Sequence, residues 1–202
     1  MSRLPTPALL AITDRRQAAQ PLPDLAEALF AAGLRWLSLR EKDLLATEQA
    51  ALARALVARA RRWGAVVTVH GDGELARAAG AGGVHLPDGG DPAAARRILG
   101  PDALVGVSAH GMDGLRRAAG ADYATVSPVF ASASKPGYGP ILGVDGLRHC
   151  VAAADVPVLA LGGVDAAGAP ACMAAGAAGV AVMGPLMRGP GGLPELLRAV
   201  AR

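Results

Sequence analysis

Short apolar runs alternate with longer stretches of helical periodicity along the whole chain. The runs are Ala8–Ile12, Leu34–Leu39, Ala65–Val69, Gly83–Leu86, Ala103–Val107, Tyr123–Val126, Val158–Leu161 and Gly179–Val182. Each is too short for a helix and shows little polar alternation, the pattern of parallel strands covered on both faces. The intervening spans predict helices over Leu22–Ala32, Thr47–Trp63, Gly73–Ala79, Pro92–Leu99, Met112–Ala119, Val144–Ala153, Ala166–Ala175 and Pro190–Ala201. Leu52, Leu56, Val57 and Ala60 in the second carry one apolar face. Gly80, Gly120 and Gly176 follow helical stretches directly before a strand, the position where a left-handed C-terminal residue is needed. Eight strand–helix units in 202 residues predict the α/β class, with residues 1–202 forming a single (β/α)8 TIM barrel. A doubly wound open sheet is the alternative, because periodicity does not reveal closure.

Composition narrows the function. With 52% hydrophobic and 18% charged residues, the chain has material for a sizeable core. Aromatic residues make up only 3%, too few for base-stacking platforms. Twenty cations stand against 17 anions, and the pairs Arg15-Arg16, Arg61-Arg62 and Arg96-Arg97 are scattered. That balance fits solvated helix faces and a basic pocket for phosphate better than a nucleic-acid stripe. Cys150 and Cys172 lack metal-site or disulfide spacing and read as small buried thiols. No secretory signal and no apolar stretch of about 20 residues is evident, so the expectation is a cytoplasmic protein without a membrane partner.

In a barrel of this kind the chemistry lies at the carboxyl ends of the strands. Those positions hold Thr13 and Asp14, Arg40 and Lys42, His70, Leu86, Ser108 and His110, Ser127, then Gly162-Gly163 and Met183-Gly184. Glycines after the last two strands let backbone N–H groups approach a phosphate, although Gly-Gly also serves as a simple tight turn. On the phosphate reading, Gly163→Val blocks that approach with little loss of fold. Arg40 and Lys42 flank Glu41 and face one side if the strand continues. The alternative there is an exposed charged turn offset by Glu41. The Ser127–Gly143 loop carries Ser132, Ser134 and Lys135, two hydroxyls and an ammonium suited to an anion. His70 is an acid–base candidate near neutral pH, with a structural histidine equally in view. His85, inside a strand, reads as a satisfied core or rim residue, and His149 receives no role.

Taken together, these residues resemble the thiamine phosphate synthase/TenI superfamily over nearly the whole chain. The resembling segments include Ala11-Ile12-Thr13-Asp14, Leu39-Arg40-Glu41-Lys42, Gly83-Val84-His85-Leu86, Gly106-Val107-Ser108-Ala109-His110, Ser127-Pro128-Val129-Phe130 and Leu161-Gly162-Gly163-Val164. The resemblance implies a (β/α)8 barrel handling phosphorylated thiazole. It places Arg40, Lys42 and Ser108 at a pyrimidine diphosphate. It also matches Ser132, Ser134 and Lys135 to a Thr-x-Thr-Lys motif, and Gly163 and Gly184 to backbone positions on the thiazole phosphate.

The departures from that pattern shape the expected reaction. The synthases carry metal-binding carboxylates where this chain has Gly71 and about Gly90, and a glutamine where it has Ser38. Asp72, Asp88 and Asp91 could supply carboxylates from shifted positions, but a hard cation needs oxygen ligands in place. The Leu86-Pro87 turn looks more like the TenI thiazole tautomerases, which move a proton without metal; their histidine is replaced here by Pro128. The favoured expectation is therefore a metal-independent tautomerase-like enzyme without cofactor. His70 is its catalytic base, with Lys42 and His110 as further catalytic candidates. Thiamine phosphate synthase, using Mg²⁺, is the alternative, and a non-catalytic thiazole or thiamine phosphate-binding regulator is a third. Phosphorylated thiazole is the expected partner, and a homo-oligomer is left open.

Overall fold

The computed structural model describes residues 3–132, 137 and 139–201. Eight parallel strands pair in sequence order, β1 (Leu9–Ile12), β2 (Trp36–Leu39), β3 (Val66–His70), β4 (Gly83–Leu86), β5 (Leu104–Ala109), β6 (Tyr123–Val126), β7 (Val158–Ala160) and β8 (Gly179–Val182). Leu10 on β1 is in register with Ala181 on β8, which closes the barrel and excludes the open sheet. The helices between strands include α1 (Leu22–Ala31), α2 (Ala46–Arg62), α3 (Gly73–Ala79), α4 (Pro92–Leu99), α5 (Met112–Arg117), α6 (Gly143–Ala153) and α7 (Ala169–Ala174). After β8 the chain forms a short α8 (Gly184–Met187), one 3₁₀ turn and α9 (Leu193–Val200), where the sequence predicts a single helix from Pro190. The pattern misses α8 because one turn of helix carries no periodicity.

Two apolar layers hold this arrangement. Leu10, Trp36, Leu104, Tyr123 and Leu159 fill the inside of the barrel, while the opposite strand faces pack under the helices with Leu25, Leu29, Leu56 and Leu147. Trp36 and Tyr123 meet edge to face with centroids 4.7 Å apart, a geometry worth about 1 kcal/mol beyond area burial. Tyr123 fits because its neighbour in register, Gly106, has no side chain. A Cβ there would stand 2.1 Å from the Tyr123 Cζ.

Toward the carboxyl ends the barrel interior turns polar. Ser38, Thr68, His85 and Thr125 are all buried there. Helix starts on the same side are fixed by aspartates. Asp72 accepts the Leu75 N–H at 2.9 Å ahead of α3, and Asp91 accepts those of Ala93 and Ala94 ahead of α4. Gly80 ends α3 at φ +65°, as expected for that position.

Candidate functional site

A cavity of about 800 Å³ opens at the carboxyl ends of the strands. Arg40, Lys42, His70, Ser108 and His110 line one part of it, with Ser132 from the loop after β6. Gly162, Gly163, Met183 and Gly184 line another. The structure thus brings together every described residue that the sequence singles out. Ser134 and Lys135 lie outside the described residues. A recess of about 290 Å³ adjoins the cavity between the β2 and β3 ends, sharing Arg40, Lys42 and His70 and adding Glu41 and Gly71.

At the basic end, β2 stops at Leu39, yet Arg40 and Lys42 both reach the cavity. Glu41 between them is not an exposed counter-charge. It is only 5% exposed, and its carboxylate accepts the Arg15 N–H at 3.0 and 3.2 Å. Burial raises the Glu41 pKa, opposed by hydrogen bonds from the Thr13 hydroxyl and the Arg15 N–H. Thr13 also accepts the Arg40 N–H at 2.8 Å, so one hydroxyl ties the first strand end to the second. Arg15 and Arg16 both pair with Asp43, at 2.7 and 2.8 Å. The Arg40 guanidinium has no ion pair or hydrogen bond among the described residues.

At the glycine end, Gly162 and Gly163 adopt φ of +91° and +64°. A Cβ on Gly163 would meet the Ala131 carbonyl at 2.3 Å, because the loop after β6 is laid across this turn. Phe130 N–H donates to the Gly162 carbonyl and Val129 N–H to that of Leu161, both at 2.9 Å. Loop packing therefore demands these glycines before any ligand does. Among the described residues the Gly163 and Gly184 N–H groups have no acceptor. The expectation that Gly163→Val spares the fold is corrected: the clash is with backbone, in a left-handed conformation. Gly163→Val should cost on the order of 2 kcal/mol in urea denaturation, and an unshifted midpoint would show that the loop yields freely.

The floor between the two ends is a buried hydrogen-bond network that sequence pattern alone does not assemble. The His85 Nδ1 lies 3.0 Å from the Tyr123 hydroxyl, and its Nε2 lies 3.0 Å from the Ser108 Oγ and 3.3 Å from the Thr125 Oγ1. Burial, reinforced by the charge of His70, drives the His85 pKa down to about 3, and burial raises that of Tyr123. His85 is thus a satisfied core histidine, as its place in the strand implies, and it also lines the cavity. The sequence signal is Gly106 two residues before Ser108, the gap that admits the tyrosine. The His70 ring faces His85 with centroids 5.4 Å apart, and His110 Nδ1 lies 3.1 Å from the Ser127 carbonyl oxygen. His149 is remote, bonded to the Asp145 carbonyl in α6.

The residues present do not fit a protein-held Mg²⁺. Asp72 and Asp91 cap helices and line neither the cavity nor the recess, and Asp88, at the cavity wall, pairs through Oδ1 with Arg117 at 2.8 Å. Gly71 and Gly90 supply no side-chain oxygen, and a Cβ at Gly90 would stand 2.6 Å from that of Leu86. Among the described residues no cluster of three or more His, Cys, Asp or Glu side chains is arranged to hold a metal ion. A hard cation needs oxygen ligands in place.

Barrel closure and a cavity lined by strand-end cations, imidazoles and glycine backbone define a (β/α)8 barrel with its site in the position such enzymes use. Residues 9–186 match the family model described as thiamine monophosphate synthase, and the chain belongs to that family of thiamine biosynthesis. A provisionally named thiamine-phosphate synthase of Geobacter sulfurreducens is 44% identical over 186 residues, covering 90% of this chain and 87% of that one. The thiamine-phosphate synthase of Roseiflexus sp. is 37% identical over 183 residues, 89% of this chain and 78% of its own. Among solved structures, thiamine phosphate pyrophosphorylase from Pyrococcus furiosus superposes with a TM-score of 0.81 at 25% identity, covering 98% and 94% of the two chains. No helix among the described residues is long and apolar enough to cross a membrane.

Proposed function

We propose that the cavity joins two phosphorylated ligands, a thiazole phosphate and a hydroxymethylpyrimidine diphosphate, to give thiamine phosphate and pyrophosphate. The observation that carries this reading is one cavity with strand-end cations at one end and glycine N–H groups without an acceptor among the described residues at the other. The basic end sits on β2 and β3, and the glycine end on β7 and β8. Since β3 and β7 are opposite in an eight-strand ring, one ligand held at each end meets the other over the His85–Ser108 floor. A proton-transfer enzyme acting on one phosphate needs only one such end. The named relatives support the same choice, which displaces the tautomerase as the favoured reading.

In this reaction the thiazole nitrogen bonds to the pyrimidine methylene carbon as the C–O bond to diphosphate breaks. The bond's electron pair leaves with the diphosphate oxygen. Negative charge grows on that leaving group, so Arg40 and Lys42 act where charge develops, and in many enzymes such electrostatic stabilisation contributes more to the rate than any other effect. The Gly163 and Gly184 N–H groups anchor the thiazole phosphate, with Gly162 and Met183 shaping the turns that present them. Ser108, Ser132, His110 and, by the family pattern, Ser134 and Lys135 orient the diphosphate. No step is routed through a metal.

The empty positions at Gly71 and Gly90 favour a second reading, a thiazole tautomerase with His70 shuttling the proton. The two are separated by incubating purified protein with thiazole phosphate and pyrimidine diphosphate and following thiamine phosphate by chromatography. Thiamine phosphate is the expected product. Isomerisation of a thiazole carboxylate phosphate without condensation would establish the tautomerase. Binding without turnover of either would establish a regulator.

A further inference from the structure

We propose that the recess between the β2 and β3 ends binds diphosphate without a divalent cation, with protein cations supplying the charge a metal would carry. The inference rests on the synthase reading only for the identity of the anion. Its physical basis is the side-chain inventory around the recess, where cations are present and the one carboxylate at its edge, Glu41, is already bonded to the Arg15 N–H and the Thr13 hydroxyl.

Arg40, Lys42 and His70 all border this recess. The arginine is the informative member, because its guanidinium is left without ion pair or hydrogen bond among the described residues while nearby Arg15 and Arg16 are satisfied by Asp43. A guanidinium presents a planar fork that matches two phosphate oxygens at once. Its backbone is fixed independently of any ligand by the Thr13 hydroxyl, and the buried Glu41 pins the neighbouring loop through Arg15. The backbone of the arginine is thus fixed before the anion arrives, and its guanidinium is left for the anion to engage.

The carboxylates show the converse. Glu41 borders the recess, but its oxygens are committed to the Arg15 N–H and the Thr13 hydroxyl. Asp72 and Asp91 each cap a helix, and Asp88 is held by Arg117. Of these four carboxylates only Glu41 borders the recess; Asp72 and Asp91 line neither the recess nor the cavity, and Asp88 lines the cavity alone. Introducing an acidic side chain at Gly90 would collide with Leu86, and at Gly71 would require φ of +88°. This part of the fold is arranged against the cation and toward the anion.

Metal-dependent and metal-free sites respond to Mg²⁺ with opposite sign. Mg²⁺ removes two charges from free pyrophosphate, so a site built of cations binds the complex less well, whereas a site needing the metal binds only the complex. The probe is inorganic pyrophosphate, titrated calorimetrically into the whole protein in EDTA and then in excess Mg²⁺. Saturable binding in EDTA that weakens with Mg²⁺ is expected. Arg40→Ala should weaken it about tenfold to a hundredfold, the usual cost of a charge-assisted phosphate contact. Asp88→Asn and Asp72→Asn should bind no less tightly, the latter because asparagine keeps the helix cap. Binding that appears or strengthens only with Mg²⁺, binding lost in Asp88→Asn, or no binding under either condition would each overturn the inference. Metal-dependent binding would overturn it while leaving condensation intact. Metal-free binding without thiamine phosphate formation would uphold it and remove the synthase reading instead.

Discussion

Lys42→Met is expected to lower kcat for thiamine phosphate formation about 10²- to 10³-fold, the cost of deleting one donor aimed at a developing negative charge. Methionine keeps the apolar stem and removes only the ammonium. Glu41 and Thr13 tie the loop after β2 to the first strand end through the Arg15 and Arg40 N–H groups, and neither bond depends on the ammonium. The loss should fall on kcat more than on KM, because the extra charge appears on the diphosphate only as the C–O bond breaks. Steady-state kinetics with both substrates measures the split. A KM effect with unchanged kcat would make Lys42 a ground-state binding residue, and a change of less than about threefold in either constant would remove it from the site altogether.

Much of this architecture is legible because it is written in periodicity. The runs at Gly83–Leu86, Tyr123–Val126 and Gly179–Val182 match their strands residue for residue, since all four positions of each are buried and the residues on either side are not. Where a strand enters the site, its end blurs. β5 runs on to Ala109, two residues past the apolar stretch, because Ser108 pairs in register with Thr125 while its hydroxyl turns to His85. Closure is not legible, being a relation between the first strand and the last. Nor is the role of Glu41: a carboxylate between two cations reads as solvated charge, and only the fold of the first loop shows the N–H it accepts. Gly163 draws notice for what it offers a ligand, whereas its nearest constraint is the Ala131 carbonyl of a loop more than thirty residues earlier. The strand-end residues stand out because barrel topology assigns them a common place whatever their identity.

His85 should make the protein lose about 2 kcal/mol of stability between neutral pH and pH 5, and about 3 by pH 4. Its native pKa is lowered to about 3, from 6.5 for a free imidazole, because burial opposes charging and the facing His70 adds like charge. In the unfolded chain the ring protonates near pH 6.5, so below that value the unfolded state binds more protons and gains at the expense of the native one. The stabilisation is therefore complete above pH 6.5 and is lost progressively as pH falls toward 3. The other groups against the ring are the Tyr123 hydroxyl, Ser108 and Thr125, and none of them can compensate a charge there. His85→Gln supplies the comparison, since an amide offers a donor and an acceptor but does not titrate. Urea unfolding from pH 7 to pH 4 should give a shallower decline for the variant, the gap between the curves widening as pH falls. Parallel curves would mean that His85 already shares a proton in the native state, and Ser108 would then face a charged imidazolium rather than a neutral ring.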